Sequence, residues 1–385
     1  MNYQESPERL ALRAAARDLA GKYGREYYIR KARAGERTTE LWAEAGKLGY
    51  LGVNLPEEYG GGGGGLGDLA AVCEELAAGG SPLLLMVVSP AICGTVISRF
   101  GSTAQRERWL PGIADGSAIM AFAITEPDAG SNAHRITTTA RRDGDDWVLT
   151  GRKVYISGVD EADAVLVVGR TEDARTGRLR PALFVVPTDA PGFEYRHIPM
   201  DVLTPEKQFG LFLDDVRLPA DAVVGDVDAA IAQLFAGLNP ERVMGAAFSI
   251  GVARYALARA VEYAKARTVF DAPIGAHQAI AHPLADSAIQ IEMVRLMIQK
   301  AAAVYDSGDD AGAGEAANMA KYAAAEVACE TVDRAIQTHG GAAFTSEYGL
   351  AGLAASVRIG RVAPVSREMV LNFVAMHTLG LPKSY

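Results

Sequence analysis

The apolar residues of this chain change their spacing twice, and that change restricts the fold more than any other feature. Up to about residue 115, alanine- and leucine-rich stretches repeat with helical spacing over Arg9 to Tyr23, Thr38 to Leu48, Gly67 to Ala78 and Pro82 to Phe100. Pro90 is expected to break the last of these, since proline removes a backbone donor and crowds the preceding turn. From about 118 the runs become short and β-branched or aromatic: Trp147 to Ile156, Ala164 to Val168, Ala182 to Val186 and Gln208 to Leu213. Turn pairs such as Asp143-Gly144, Thr176-Gly177 and Pro191-Gly192 divide them, as in a β domain. After Asp228 helical spacing returns and persists. The expected fold class is α+β: an N-terminal α-helical domain over 1–117, a middle β-barrel or sandwich domain over 118–227, and a C-terminal four-helix bundle over 228–385.

Within the last part, Asn239 is placed to cap a helix whose first residue is Pro240, where a missing N–H costs nothing, running to about Thr268. Further helices are expected over Gln278 to Tyr305, Gly314 to His339 and Ser366 to Thr378, with Gly340 as a left-handed stop. No repeat of 20 to 50 residues is visible.

A chain of 385 residues exceeds what one core usually serves, so two or three packed units are expected. The net charge of −9 argues against a nucleic-acid-coating role, which needs clustered Lys and Arg. Cys73, Cys93 and Cys329 lie far apart without C-x-x-C spacing, suggesting neither a disulfide framework nor a zinc site. The charged stretch Met1 to Arg30 lacks the apolar run of a signal peptide, and no 18 consecutive apolar residues occur. A cytoplasmic protein without a membrane span is the expectation.

Several segments combine residue types suited to a ligand. Gly60 to Gly65 resembles a phosphate cradle but follows no strand, so a flexible loop is expected there. Phe122-Ala123-Ile124-Thr125-Glu126-Pro127-Asp128-Ala129-Gly130-Ser131-Asn132 opens the β region. Its small residues allow close approach, and its hydroxyls can bond ring heteroatoms or phosphate. A plain turn between strands is the competing reading. Tyr155 and Ser157 stand two apart on a strand, which would put them on one face, where they could stack on a flat ring and bond its edge. Ordinary strand packing would look the same. Arg267, Phe270 and Gln278 span the end of one helix and the start of the next, a natural pyrophosphate site, although a surface arginine at a helix end is common. Gln337, Gly340 and Gly341 close another helix; their glycines are accounted for as a C-cap, and a close approach to a cofactor would be an additional role.

Taken together and in order, these segments resemble the acyl-CoA dehydrogenase family over essentially the whole chain. The resemblance is carried by T-E-P-x-A-G-S at Thr125 to Ser131, [WY]-I-[ST] at Tyr155 to Ser157 and F-x-D-D-V-x-x-P at Phe212 to Pro219. It continues with R-x-x-F…Q from Arg267 to Gln278 and Q-x-x-G-G from Gln337 to Gly341. It implies FAD between the β domain and the bundle, an acyl-CoA or acyl-carrier-protein thioester as substrate, and a homotetramer or dimer. An electron-transfer flavoprotein would be the redox partner. Phe122, Ile124, Thr125, Gly130, Ser131, Tyr155 and Ser157 would meet the flavin. Arg267, Phe270, Gln278, Gln337, Gly340 and Gly341 would hold the adenine and pyrophosphate half across a subunit contact, and Ser131 and Arg242 would lie near the thioester.

The chain departs from the family at the catalytic base. The reaction needs a carboxylate to take the α proton while a hydride leaves the β carbon. Most of the family carries it in a Y-E-G-T-like sequence near the C-terminus; counted from Arg358 without a gap, that position is Arg367, which cannot accept a proton. Two carboxylates remain. Glu368 is one residue on, a turn of about 100° round a helix. Glu241 stands where relatives resembling the isovaleryl and long-chain enzymes carry their base; a helix dipole at its N-terminal turn would also favour it there. Without a usable carboxylate, the same fold could serve oxidase, monooxygenase or ring-forming chemistry, or a non-catalytic, nucleic-acid-associated role.

Overall fold

The computed structural model describes residues 5–173 and 176–383; Met1 to Gln4, part of the charged N-terminal stretch, lie outside that range. The N-terminal helices are α1 Pro7–Ala34, α2 Thr39–Lys47, α3 Leu66–Ala78, α4 Leu84–Met86, α5 Thr95–Phe100 and α6 Thr103–Asp115. Pro90 does not end its helix, contrary to expectation. Val87–Gly94 continues from α4 to α5 as a π-helical stretch containing Pro90, whose wider turns tolerate the missing donor. The glycine run forms a loop, as expected, and backbone hydrogen bonds hold it in place. Gly61, Gly62, Gly63 and Gly64 donate their N–H groups to the carbonyls of Pro56, Gly52, Leu55 and Val53 at 2.8 to 3.1 Å. A Cβ on Gly61 would lie 2.2 Å from the Leu55 carbonyl oxygen, so the run is glycine because backbone packs on backbone.

The middle part is one curled mixed sheet of seven strands: β1 Met120–Ala123, β2 Thr139–Asp143, β3 Asp146–Ser157, β4 Ala164–Glu172, β5 Leu179–Pro187, β6 Phe193–Ile198 and β7 Gln208–Leu218. Its order is β1-β4-β2-β3-β7-β6, with β5 on the other side of β4. Strand β4 is covered on both faces. Ala164, Leu166 and Val168 join the helical core, while Val165 and Val167 join a second core inside the curl with Trp147, Phe184 and Leu211. A strand buried on both faces reads as an unbroken apolar run, as Ala164 to Val168 does.

The C-terminal part holds α7 Ala230–Ala266, the small hairpin of β8 Thr268–Val269 and β9 Ala272–Pro273, then α8 Gln278–Asp306, α9 Asp310–His339, α10 Ala351–Ile359 and α11 Arg367–Phe373. Helix α7 does not begin at Asn239. It starts nine residues earlier, with Pro240 inside it. Proline cannot donate to the carbonyl of Ala236, and the Tyr305 hydroxyl of α8 donates to that oxygen instead, at 2.8 Å. The Asn239 amide, freed from capping, reaches the Asp310 carbonyl at 3.3 Å. Among the described residues no helix is long and apolar enough to cross a membrane.

Candidate active site

Strand β1 runs out of the sheet into the 124–132 loop, and the loop's shape is set by one buried carboxylate. Glu126 accepts from the backbone N–H and hydroxyl of Thr137 at 2.6 and 2.8 Å, from Thr138 N–H at 2.9 Å and from the Lys153 ammonium at 3.0 Å. Lys153 also donates to the Ile124 carbonyl at 2.9 Å, and Val154 N–H donates to the Thr125 carbonyl at 2.9 Å. Against the burial that would raise it, these bonds and the Lys153 charge hold Glu126 at about 2, while burial pulls Lys153 down to about 8. The pin leaves Thr125 half-buried and Gly130, Ser131 and Asn132 exposed, with nothing within 4 Å of where a Gly130 Cβ would stand. Neither Glu126 nor Lys153 was among the expected site residues. Their signal was an acid inside the Thr125 to Ser131 box and a lysine two residues before the Tyr155 to Ser157 box.

The strand carrying Tyr155 is irregular at that point. Lys153 pairs with Leu211 and Ile156 with Phe209, so Val154 and Tyr155 together oppose Gly210 in a β-bulge. Tyr155 takes φ 59°, unusual for a residue with a side chain, and is 61% exposed. The bulge interrupts strand alternation there, so a spacing of two does not by itself set how Tyr155 and Ser157 face, and Tyr155 stands exposed. Ser157 is half-buried and receives a hydrogen bond from the Gln208 amide at 2.9 Å. Phe122 and Ile124 pack into the helical core on either side of the loop's start.

The second group of expected residues gathers at one end of the bundle. Tyr263 of α7 stacks on His339 of α9 with ring centroids 4.3 Å apart, and Arg267 N–H donates to the Tyr263 carbonyl at 2.8 Å. Phe270 and Asp271 form the tip of the β8–β9 hairpin with φ 52° and 61°, values that side chains adopt at a cost of about 1–3 kcal/mol. Phe270 is 90% exposed there. Gln278 opens α8, whose N-cap His277 supplies no side-chain acceptor, so an anion would meet unpaired N–H groups with Arg267 close in sequence. Gly340 ends α9 with φ 56° and ψ −135°, an extended glycine geometry rather than the left-handed cap expected. A Cβ on Gly340 or Gly341 would meet nothing within 4 Å, and the Gln337 side chain is exposed.

The candidate bases have different surroundings. Glu241 sits half-buried on α7 beside Arg242, facing Lys321 of α9 and Cys93 of the π-helical stretch. Burial pushes its carboxyl up to about 7, against the pull of Arg242 and Lys321. The Cys93 thiol lies 3.4 Å from the Ala121 carbonyl of β1, linking this place to the strand that leads into the 124–132 loop. Arg242 donates to the Asn239 side-chain oxygen at 3.0 Å and lies 5.7 Å over the Phe235 ring, while its Nε has no partner. Glu368 is exposed on the first turn of α11, which Ser366 caps. Arg367 is drawn toward Glu326 of α9, with Nε 3.4 Å from its carboxylate.

These features fit an extended dinucleotide cofactor: open glycine backbone at two places, an exposed ring on a strained turn and a helix N-terminus without a side-chain cap. Comparison with known proteins places them in context. Family models described as the acyl-CoA dehydrogenase N-terminal, middle and C-terminal domains match residues 6–117, 121–215 and 231–379. The chain is 66% identical over 384 residues to acyl-CoA dehydrogenase FadE12 of Mycobacterium tuberculosis, covering 100% of this chain and 99% of that protein. The glutaryl-coenzyme A dehydrogenase structure with glutaryl-CoA superposes with a TM-score of 0.94 at 29% identity, covering 100% of this chain and 98% of that one. A Mycobacterium smegmatis glutaryl-CoA dehydrogenase in complex with FADH2 superposes with a TM-score of 0.90 at 28% identity, over 99% of this chain and 96% of that one. Helices, curled sheet and helical bundle in this order, matched domain by domain along the chain, make this protein a member of the acyl-CoA dehydrogenase family.

Proposed function

We propose that the protein catalyses FAD-dependent α,β-dehydrogenation of an acyl thioester, with Glu241 as the base. The observation that carries this is the contrast between the two carboxylates. Glu241 is densely surrounded and pushed up to about 7, near the working pH, where a base combines adequate ionisation with proton affinity; Glu368 faces solvent. In this reading Glu241 takes the proton from the α carbon, and Arg242 holds the thioester end near the Phe235 ring. When bound, FAD would supply the acceptor for the hydride leaving the β carbon. The 124–132 loop with Tyr155 and Ser157 would hold the ring, and Arg267, Phe270, Gln278, Gln337, Gly340 and Gly341 the adenine and pyrophosphate half.

Phe270 and Phe344, 90% and 73% exposed, supply apolar surface for contacts between copies, in keeping with a homotetramer or dimer. The substrate carrier would be coenzyme A or an acyl carrier protein, and the electron acceptor an electron-transfer flavoprotein. The three free thiols fit a reducing cytoplasm.

The test is anaerobic mixing of the flavin-loaded protein with saturated acyl-CoA thioesters of graded length, following bleaching of the flavin's visible band. Glu241→Gln should slow bleaching by about 100- to 10,000-fold, and Glu368→Gln should leave it near wild type. Equal rates in Glu241→Gln and wild type would remove Glu241 from the role. Absence of bleaching with every thioester, accompanied by rapid reoxidation by oxygen with another donor, would replace dehydrogenation by an oxidase chemistry.

A further inference from the structure

We propose that Lys321 is a positioning residue for this reaction: from α9 it grips the carbonyl of Val365 and so holds its ammonium charge against Glu241. This rests on Glu241 being the base. Lys321 is 3% exposed, on a stretch of α9 otherwise lined by buried Ala317, Ala320, Ala324 and Ala328. Lysine is almost never buried without a partner, and no carboxylate forms a direct ion pair with this one among the described residues. Its hydrogen bond goes to the Val365 carbonyl, in the segment between α10 and α11.

That segment is held at three further points. Arg361 pairs with Glu326 of α9 at 2.7 Å, Arg367 N–H donates to the Arg361 carbonyl at 2.9 Å, and the Pro364 ring lies 3.7 Å from where a Cβ on Gly245 would stand. Gly245 is one helical turn beyond Glu241 on α7. The segment therefore lies against α7 one turn from the base, and Lys321, which feels the Glu241 charge, ties it to α9.

The charged and titratable groups around this place divide clearly. Lys321 faces Glu241 and Arg242 from α7, Glu368 from α11 and Glu326 from its own helix. Glu241 faces Arg242 from its own helix, Lys321 from α9 and Cys93 from the π-helical stretch. Burial pushes the Cys93 thiol up, so it stays uncharged at neutral pH. Of the two cations, Arg242 is committed to Asn239 and to the Leu238 carbonyl on its own helix. Arg242 first and Lys321 second oppose the burial that raises Glu241; Lys321 supplies its share from across the bundle, and its backbone grip fixes where that charge stands.

The experiment compares holoenzymes of wild type, Lys321→Gln, Lys321→Met, Lys321→Arg and Glu241→Gln. Lys321→Gln keeps a donor for Val365 but carries no charge. Anaerobic flavin reduction by a saturated acyl-CoA is followed against pH. Separately, without substrate, the protonated-carboxyl stretch of Glu241 is titrated by infrared difference against Glu241→Gln. In Lys321→Gln both inflections should move alkaline by about one pH unit, slowing reduction at pH 7 about fivefold, and Lys321→Arg should bring both back toward wild type. Inflections of Lys321→Gln that overlay the wild type overturn the proposal, even if hydrogen exchange over 361–367 is faster in Lys321→Met, because a mere clamp would behave that way. If Lys321→Met does not retain flavin, the Gln and Arg variants decide alone. Wild-type flavin reduction in Glu241→Gln would sink the base assignment instead, and the infrared titration would still report whether Lys321 acts on that carboxyl.

Discussion

Replacing Glu126 by alanine should destabilise the middle domain far more than its single side chain suggests. The Glu126 and Lys153 side chains are 4% and 0% exposed, and the carboxylate collects four donors. Its value of about 2, below an ordinary 4.5, means the folded state favours the ionised form. That preference is worth about 3 kcal/mol above pH 5 and is lost as pH falls through about 2. Lys153, at about 8 against 10.5, is disfavoured as a cation by about the same amount at neutral pH. The two nearly cancel while the pair is whole. Glu126→Ala removes the favourable half and strands the ammonium, at a cost of about 3–5 kcal/mol. Glu126→Ala/Lys153→Met removes both and should recover most of that loss. The assay is denaturant unfolding of the holoprotein followed by flavin fluorescence, with hydrogen exchange at Thr137 and Thr138 reporting the loop anchor itself. A single variant within about 1 kcal/mol of wild type, or a double variant as weak as the single, would refute the reasoning.

Three further outcomes are expected. Glu206, buried between the Leu84 N–H and the Tyr28 hydroxyl, is pushed up to about 7 by burial. The stability this confers is complete below the unfolded value near 4.5 and is lost as pH rises through about 7. Glu206→Gln should therefore gain on wild type between pH 5 and pH 8, and melting curves that stay parallel across that window would count against it. Phe270→Gly should relieve the positive-φ turn and raise the melting temperature of flavin-free protein, while weakening flavin retention measured by ultrafiltration. Unchanged retention would remove Phe270 from the cofactor site. Gly61→Ala should cost about 1–3 kcal/mol by forcing the glycine run off the Leu55 backbone, and a neutral effect in thermal denaturation would show that the run can yield.

The broad layout was legible because its signals are local and repeated. Helical spacing over 278–305 appears as α8, and the apolar run at Ala164 to Val168 as the doubly covered β4. What sequence reasoning missed depended on distant partners. Pro240 looked like a helix start because its lost donor is replaced by Tyr305, sixty-five residues on, and Pro90 like a break because a π-helical stretch absorbs it. Glycines 60 to 65 looked slack because the carbonyls that bind them lie in the preceding turn. The bulge at Tyr155 needs the register with β7, which no single strand reveals. In the site, the two motif boxes were visible, whereas Glu126, Lys153 and Lys321 act as buried charges whose meaning appears only with their counterparts in place.

Helix α7, a rod of 37 residues and about 55 Å, carries Glu241 about a third of the way along and ends at Arg267, its C-cap. An inserted or deleted residue anywhere between them would turn one against the other by about 100° and slide it about 1.5 Å. Loops in this chain can lengthen or shorten without disturbing that relation; the interior of α7 cannot. The proposed base and the proposed cofactor-binding arginine are thus tied to one ruler, and between them this helix can exchange side chains only at constant length.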